Sequence, residues 1–142
     1  MFEYLQGRRV LVTGHTGFCG SWLSLWLREL GAEVYGLSKA PNTNPNFHNL
    51  LDIWNEDNSF IGDIGYSGLT QPVFDQVRPE VLFHLAAHPI VRQSYADPLE
   101  NYRSNVMGTA EVMESVRQTQ SVKAAVFVTT DKVYHNREWI HP

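Results

Sequence analysis

The chain has 142 residues, 43% hydrophobic and 18% charged, with four Trp, six Tyr and seven Phe, which fits one globular domain with a real core and excludes a disordered segment. A formal net charge of −4 without any run of Lys or Arg argues against a nucleic-acid partner, and no apolar run approaches the ~20 residues of a membrane span. The single cysteine, Cys19, leaves no disulfide framework, and the N-terminus has no apolar signal core; a cytoplasmic location is expected.

Arg9 to Thr13 is a short apolar, β-branched run that stops at Gly14, as expected of a strand buried on both faces of a parallel sheet. Gly17 to Leu30 carries Phe18, Trp22, Leu25, Trp26 and Leu30 at helical spacing and ends at Gly31. Glu33 to Leu37 predicts a second strand. Ser38 to Asn49, rich in Pro and Asn, predicts a loop, and a short helix is expected around Phe47 to Ile53. Asn58 to Ile61 predicts a third strand, and Leu69 to Val77 a modest helix broken by Pro79. Val81 to Leu85 predicts the fourth strand, and Ala86 to Ala96 a loop. Leu99 to Gln118 predicts one long amphipathic helix, started by Pro98, with Tyr102, Val106, Ala110, Met113 and Val116 on its apolar face. Ala124 to Thr129 predicts a fifth strand. Strands and helices alternate with short links, so the expected fold is α/β, a Rossmann-type doubly wound parallel sheet with helices on both faces. Ligands of such sheets bind outside the carboxyl ends of the strands.

The first of those ends carries Thr13-Gly14-His15-Thr16-Gly17-Phe18-Cys19-Gly20. Glycines at this spacing let the backbone turn tightly and approach a phosphate, and the helix that follows offers N–H groups and the positive end of its dipole. Three glycines alone are a weak signal, but a strand before them and an apolar helix after them are the context a dinucleotide fingerprint requires. An acid about 20 residues on often binds the adenosine ribose; Ser38 and Lys39 stand near that point instead. NAD is the expected cofactor, but the missing acid removes the usual repulsion against a 2′-phosphate, so NADP stays open. Asp63, after the third strand, is either a partner for the adenine amino group or a carboxylate capping the next turn.

Several motifs in register resemble the extended short-chain dehydrogenase/reductase superfamily in its nucleotide-sugar branch, and within it the CDP-glucose 4,6-dehydratases. They are Thr13 to Leu23, Gly62-Asp63-Ile64, Val81 to Ala87, Val91 to Ser94, Asn105 to Thr109 and Thr129 to Lys132. The resemblance covers nearly the whole chain. It implies a redox-neutral dehydration of CDP-glucose to CDP-4-keto-6-deoxyglucose, in deoxysugar and surface-polysaccharide synthesis: oxidation at C4, loss of water across C5 and C6, and hydride return to C6. It implies a cofactor set of Gly14, His15, Gly17, Phe18, Cys19, Gly20, Ser38, Asp63, Ile64, Leu85, Ala86, Ala87, Asn105 and Thr129. It also implies Thr130 bonded to the sugar 4-hydroxyl, Asp131 as the acid for the departing 6-hydroxyl, and Lys132 as a base for C5, a phosphate anchor or a stabiliser of the enolate; His88 and Arg92 either reach the sugar or its phosphates or are surface polar residues. No metal is expected. A nucleotide sugar is the expected substrate and a homo-oligomer, dimer or tetramer, the expected assembly. His84, inside the fourth strand, reads first as a hydrogen-bonded core histidine.

Three departures matter. Related enzymes commonly have Lys where this chain has Cys19, so weaker pyrophosphate binding is expected. The catalytic Tyr-x-x-x-Lys expected downstream of Thr130 does not occur before Pro142, and Tyr35 to Lys39 has that spacing by coincidence. Residues 1–142 are thus expected to be the N-terminal part of a dinucleotide-binding domain, lacking the sugar-nucleotide part and inactive alone. The alternatives are a nucleotide-sugar 4-epimerase or a non-catalytic NAD-binding module.

Overall fold

A computed structural model describes residues 2–130. Five parallel strands are ordered β3-β2-β1-β4-β5: β1 Arg9–Thr13, β2 Glu33–Ser38, β3 Ser59–Ile61, β4 Val81–His84 and β5 Ala124–Phe127. The chain starts in the middle of the sheet, winds outward to β3, and returns past β1 to β4 and β5. This is the Rossmann order, and its switch point lies between β1 and β4.

Helices cover both faces. Leu11, Leu37 and Leu82 of the sheet pack with Val73, Phe74 and Val77 of α2 (Thr70–Val77) and with Val112 of α5 (Gly108–Gln118). Val10, Val12, Val34 and Val81 pack on the other face with Leu27 of α1 (Phe18–Glu29). Central strands with apolar residues on both faces produce this two-sided core. α2 ends at Val77, and Arg78 closes it as a left-handed C-cap at φ 47°, its amide donating to the Phe74 carbonyl; Pro79 disfavours helical backbone at the residue before it.

Several expectations need correction. Between Phe47 and Ile53 there is no α-helix, only a 3-10 turn at His48–Leu50. Residues 86–96, expected as loop, contain α3 (Val91–Ala96), opened by the amides of Gln93 and Ser94 donating to the Ile90 carbonyl. None of its residues is buried, so no periodic signal announces it. The long helix is three pieces: α4 (Pro98–Tyr102), a π-helical stretch (Arg103–Met107) and α5. Asp97 caps α4 by accepting from the Glu100 amide.

Most of the large apolar residues of the helices face outward, contrary to expectation, although Val116 packs against the core. On α1 the residues against the sheet are Gly20, Ser21, Ser24 and Leu27, whereas Phe18 is 74% exposed and Trp22, tilted against the Phe47 ring, is 52% exposed. Across the π-helical stretch and α5 the inward residues are Ser104, Gly108, Val112 and Ser115, while Tyr102, Val106 and Met113 are exposed. Small residues face the sheet because the helices lie close to it. A Cβ on Gly108 would stand 2.8 Å from the Ile64 side chain, and one on Gly20 would fall on the Gly14 carbonyl.

The Gly14 carbonyl is backbone and cannot swing aside. Gly20→Ala is therefore expected to lower stability by about 2 kcal/mol despite the better helix propensity of Ala. At Gly7 an added Cβ meets nothing and φ is +68°, so Gly7→Ala should lose about 1 kcal/mol from backbone strain alone. Urea unfolding of the two variants checks this; equal losses would contradict the close-approach argument.

Candidate functional site

The carboxyl ends of β1, β2 and β4 meet at the glycine turn. Gly14 has φ +78°, and a Cβ there would stand 2.8 Å from the Ala86 amide nitrogen. Its own amide donates to the Leu37 carbonyl at 2.9 Å, and the Gly17 amide donates back to the Gly14 carbonyl at 3.0 Å. Gly17 is the N-cap of α1 and supplies no side-chain cap, so the first-turn N–H groups face the turn without one. Phe18 and Cys19 are exposed in that first turn. This bare, Cβ-free cradle over a helix N-terminus fits a pyrophosphate.

The His15 side chain turns away from the cradle. Its side chain is fully buried and packs over β2, where a Cβ on Gly36 would strike the ring. Nε2 pairs with Ser59 Oγ at 2.8 Å, and the rings of Trp54 and His48 lie 4.6 and 5.2 Å away. Burial, then neighbouring His48, pushes its pKa down to about 3, against an upward pull from the Leu37 backbone. His15 is thus a neutral packing residue that ties the turn to the β2–β3 connection.

Beneath the turn, buried Thr13 and His84 form a hydrogen-bonded chain with half-buried Thr109. Thr13 Oγ1 accepts from the Ala86 amide at 3.2 Å and lies 2.7 Å from His84 Nδ1. His84 Nε2 lies 3.1 Å from Thr109 Oγ1. All groups are satisfied when Thr13 donates to Nδ1 and Nε2–H donates to Thr109, a tautomer assigned from the network. Burial holds His84 near a pKa of about 4. The reading of His84 as a hydrogen-bonded core histidine fits this geometry. Its partner Thr109 was legible only as part of a motif.

Asn105 sits in the π-helical stretch and grips the backbone of His88 from both sides. Its Oδ1 accepts from the His88 amide at 2.7 Å, and its Nδ2 donates to the His88 carbonyl at 3.2 Å. This fixes the path that leaves β4 through Leu85, Ala86 and Ala87. Leu85 packs into the core, and Ala86 and Ala87 leave the strand end without bulk. His88 Nε2 pairs with Gln93 on α3, and Arg92 is exposed beside it.

On the β2 side, the Thr16 hydroxyl donates to the Lys39 carbonyl and pairs with Ser38 Oγ, both at 2.8 Å. Asp63 accepts from the Gly65 amide through Oδ1 and pairs with Lys39 Nζ through Oδ2 at 2.8 Å. The turn-capping alternative for Asp63 is thus realised, with one oxygen left to the lysine. The Ile64 side chain is buried in the core, so only its backbone faces the site. Sequence reasoning missed Glu100 of α4, which meets Lys39 Nζ at 2.6 Å; nothing in a local pattern links residues so far apart. Tyr35 and Lys39 lie along a strand direction, where four steps span about 13 Å, so their spacing makes no catalytic pair. Thr129 and Thr130 are exposed beyond β5. Asp131 and Lys132 lie outside the described residues. Among the described residues, no group of three or more His, Cys, Asp or Glu could hold a metal, and no helix is long and apolar enough to cross a membrane.

His15 and His84 bind a proton in the unfolded chain near pH 6.5 but not in the folded one until about 3 and 4. Stability is therefore full above pH 7 and falls as pH drops, by about 1.4 kcal/mol per pH unit for each histidine at most. Carboxylates with lowered pKa, such as Glu100, act below pH 4.5 and stay outside a 5 to 7.5 window. Urea unfolding at pH 7.5 and 5 should show the loss, and His84→Gln should flatten it by about one proton. A pH-independent midpoint would refute the buried neutral histidines.

The sequence model of the GDP-mannose 4,6-dehydratase family matches residues 11–139. The chain is 47% identical to CDP-glucose 4,6-dehydratase of Salmonella typhimurium over 97% of this chain and 38% of that protein. It is 32% identical to UDP-glucuronate 4-epimerase 1 of Arabidopsis thaliana over 90% of this chain and 31% of that protein. The structure resembles Thermus thermophilus UDP-glucose 4-epimerase, solved as a complex with NAD, with a TM-score of 0.71 at 26% identity over 92% of this chain and 43% of the other. The chain spans well under half the length of these relatives. Its strand order, its glycine turn and the family match over most of its length agree, and the chain belongs to the GDP-mannose 4,6-dehydratase family of nucleotide-sugar enzymes.

Proposed function

We propose that this chain is the cofactor-binding part of a CDP-glucose 4,6-dehydratase and that its cofactor is NAD. The identity of 47% to the Salmonella dehydratase, against 32% to the plant epimerase, carries the reading. NAD is supported by the Cβ-free cradle and by the complex with NAD in the Thermus neighbour. When bound, NAD supplies the acceptor for a hydride from C4 of the sugar and its return to C6. Gly14, Gly17 and Gly20 admit the pyrophosphate to the start of α1. Ser38 and Asp63 stand on the adenosine side. Ala86 and Ala87, held by Thr13 and Asn105, form the floor under the dinucleotide.

Thr129 and Thr130 project past the carboxyl end of β5, two strands from the glycine turn, where a sugar would meet the far end of the dinucleotide. In this reading Thr130 bonds the 4-hydroxyl, Asp131 protonates the leaving 6-hydroxyl, and Lys132 stabilises negative charge or anchors phosphate. His88 and Arg92 bind the sugar or its phosphates. Leu99, Tyr102, Val106 and Met113, exposed along α4, the π-helical stretch and α5, support self-association through this helical face.

The test joins this sequence to the remainder of the Salmonella relative and assays CDP-glucose with NAD. The keto-deoxy product is expected, and Asp131→Asn should slow it about a hundredfold or more. The 142-residue chain alone is expected to bind NAD without turnover. A 4-epimer as the sole product would replace the dehydratase reading with the epimerase one.

A further inference from the structure

The adenosine side of the site holds the main charges of the strand ends, and they are arranged around one ammonium. Lys39 Nζ lies 2.8 Å from Asp63 Oδ2, after β3, and 2.6 Å from Glu100 Oε1, on α4. Glu100 is held on its other oxygen by Arg103 at 2.8 Å, and the Arg103 guanidinium lies over the Tyr66 ring at 5.2 Å. Lys39 directly follows Ser38, the last residue of β2, and the end of β2 is where a dinucleotide fold places the adenosine ribose. The usual acid is missing there, and an isolated lysine in its place would attract a 2′-phosphate.

This lysine is not isolated. Both carboxylates converge on it and offset its charge, and Arg103 is engaged by Glu100. Burial pulls the lysine pKa down, but the bonds to Asp63 and Glu100 outweigh it and raise it; the Glu100 carboxyl is lowered, first by its bond to Lys39. The ribose itself meets neutral groups. The Thr16 hydroxyl hydrogen is committed to the Lys39 carbonyl, so Ser38 donates to Thr16 and keeps lone pairs that accept from ribose hydroxyls.

We propose that the Lys39–Asp63–Glu100 clamp selects NAD over NADP, with Glu100 supplying from a distant helix the negative charge that the end of β2 lacks. A phosphate on the ribose 2′-oxygen carries up to two negative charges and would be brought against two carboxylates whose cations, Lys39 between them and Arg103 on Glu100, are already engaged. The inference rests on the NAD reading above and names the residues that enforce it.

The experiment titrates the full chain with NAD and with NADP, following intrinsic tryptophan fluorescence, and needs no turnover. NAD should bind at least about tenfold more tightly than NADP at low salt. Glu100→Gln, which releases Lys39 and Arg103 from one carboxylate, should tighten NADP roughly tenfold and leave NAD within about twofold. A purely structural role for Glu100 would weaken both nucleotides together, which overturns the proposal. Ionic strength gives a second test on the unaltered chain. Repulsion of the 2′-phosphate predicts that added salt narrows the gap between NADP and NAD, whereas attraction by a free Lys39 predicts that salt widens it; widening overturns the clamp. Binding of neither nucleotide would overturn the cofactor reading itself, and this inference with it.

Discussion

The site depends on one steric constraint, the approach of the start of α1 to the ends of β1 and β4 without a Cβ between them. Gly14 turns the chain at positive φ beneath the Ala86 backbone, and Gly20 lets the helix settle on the Gly14 carbonyl. Everything nearby is arranged around that contact. Ser21 and Ser24 continue the small face of α1 along the sheet, each bonding its hydroxyl to a backbone carbonyl, of His15 and Gly20 respectively, so that a polar residue can be buried where a larger apolar one would push the helix away. Thr13, at the end of β1, accepts the amide of Ala86 and so couples the turn to the strand across the switch point.

That constraint explains which parts of the fold were legible in the sequence. The strands are apolar on both faces and short, so runs such as Val81 to Phe83 mark them directly. The helix faces misled because the large apolar residues, Phe18, Trp22, Tyr102 and Val106, carry the periodic signal while the small ones carry the packing. A hydrophobic stripe identifies a helix but does not say which side meets the sheet when that sheet requires Gly and Ser. The π-helical stretch at Arg103–Met107 was equally silent, since its residues fit an ordinary helix; its effect is to aim Asn105 at the His88 backbone.

The site divides the same way. Gly14, Gly17 and Gly20 are local and were readable from spacing. His84 was readable as a core histidine because it lies in a strand. The pairing of Lys39 with Glu100, 61 positions apart, is created by the strand order that brings β2, β3 and α4 to one edge, and no local pattern contains it. The inward turn of the His15 ring is equally non-local: the Cβ-free position at Gly36 opens a slot on β2 that takes the ring.

With His15 neutral and inward, and Cys19 a thiol rather than a cationic side chain, no side-chain charge of the glycine turn reaches the cradle. Attraction for a pyrophosphate then falls to backbone N–H groups and the dipole of α1, worth at most a few kcal/mol and confined to the first helical turn. Such a cradle recognises phosphate oxygens at close range but does little to distinguish one dinucleotide from another. Discrimination therefore has to come from the adenosine side, where Lys39, Asp63, Glu100 and Arg103 are charged yet mutually compensated. A neutral cradle on one side and a balanced ionic cluster on the other let the fold hold the cofactor's common part by shape and read its variable part by charge.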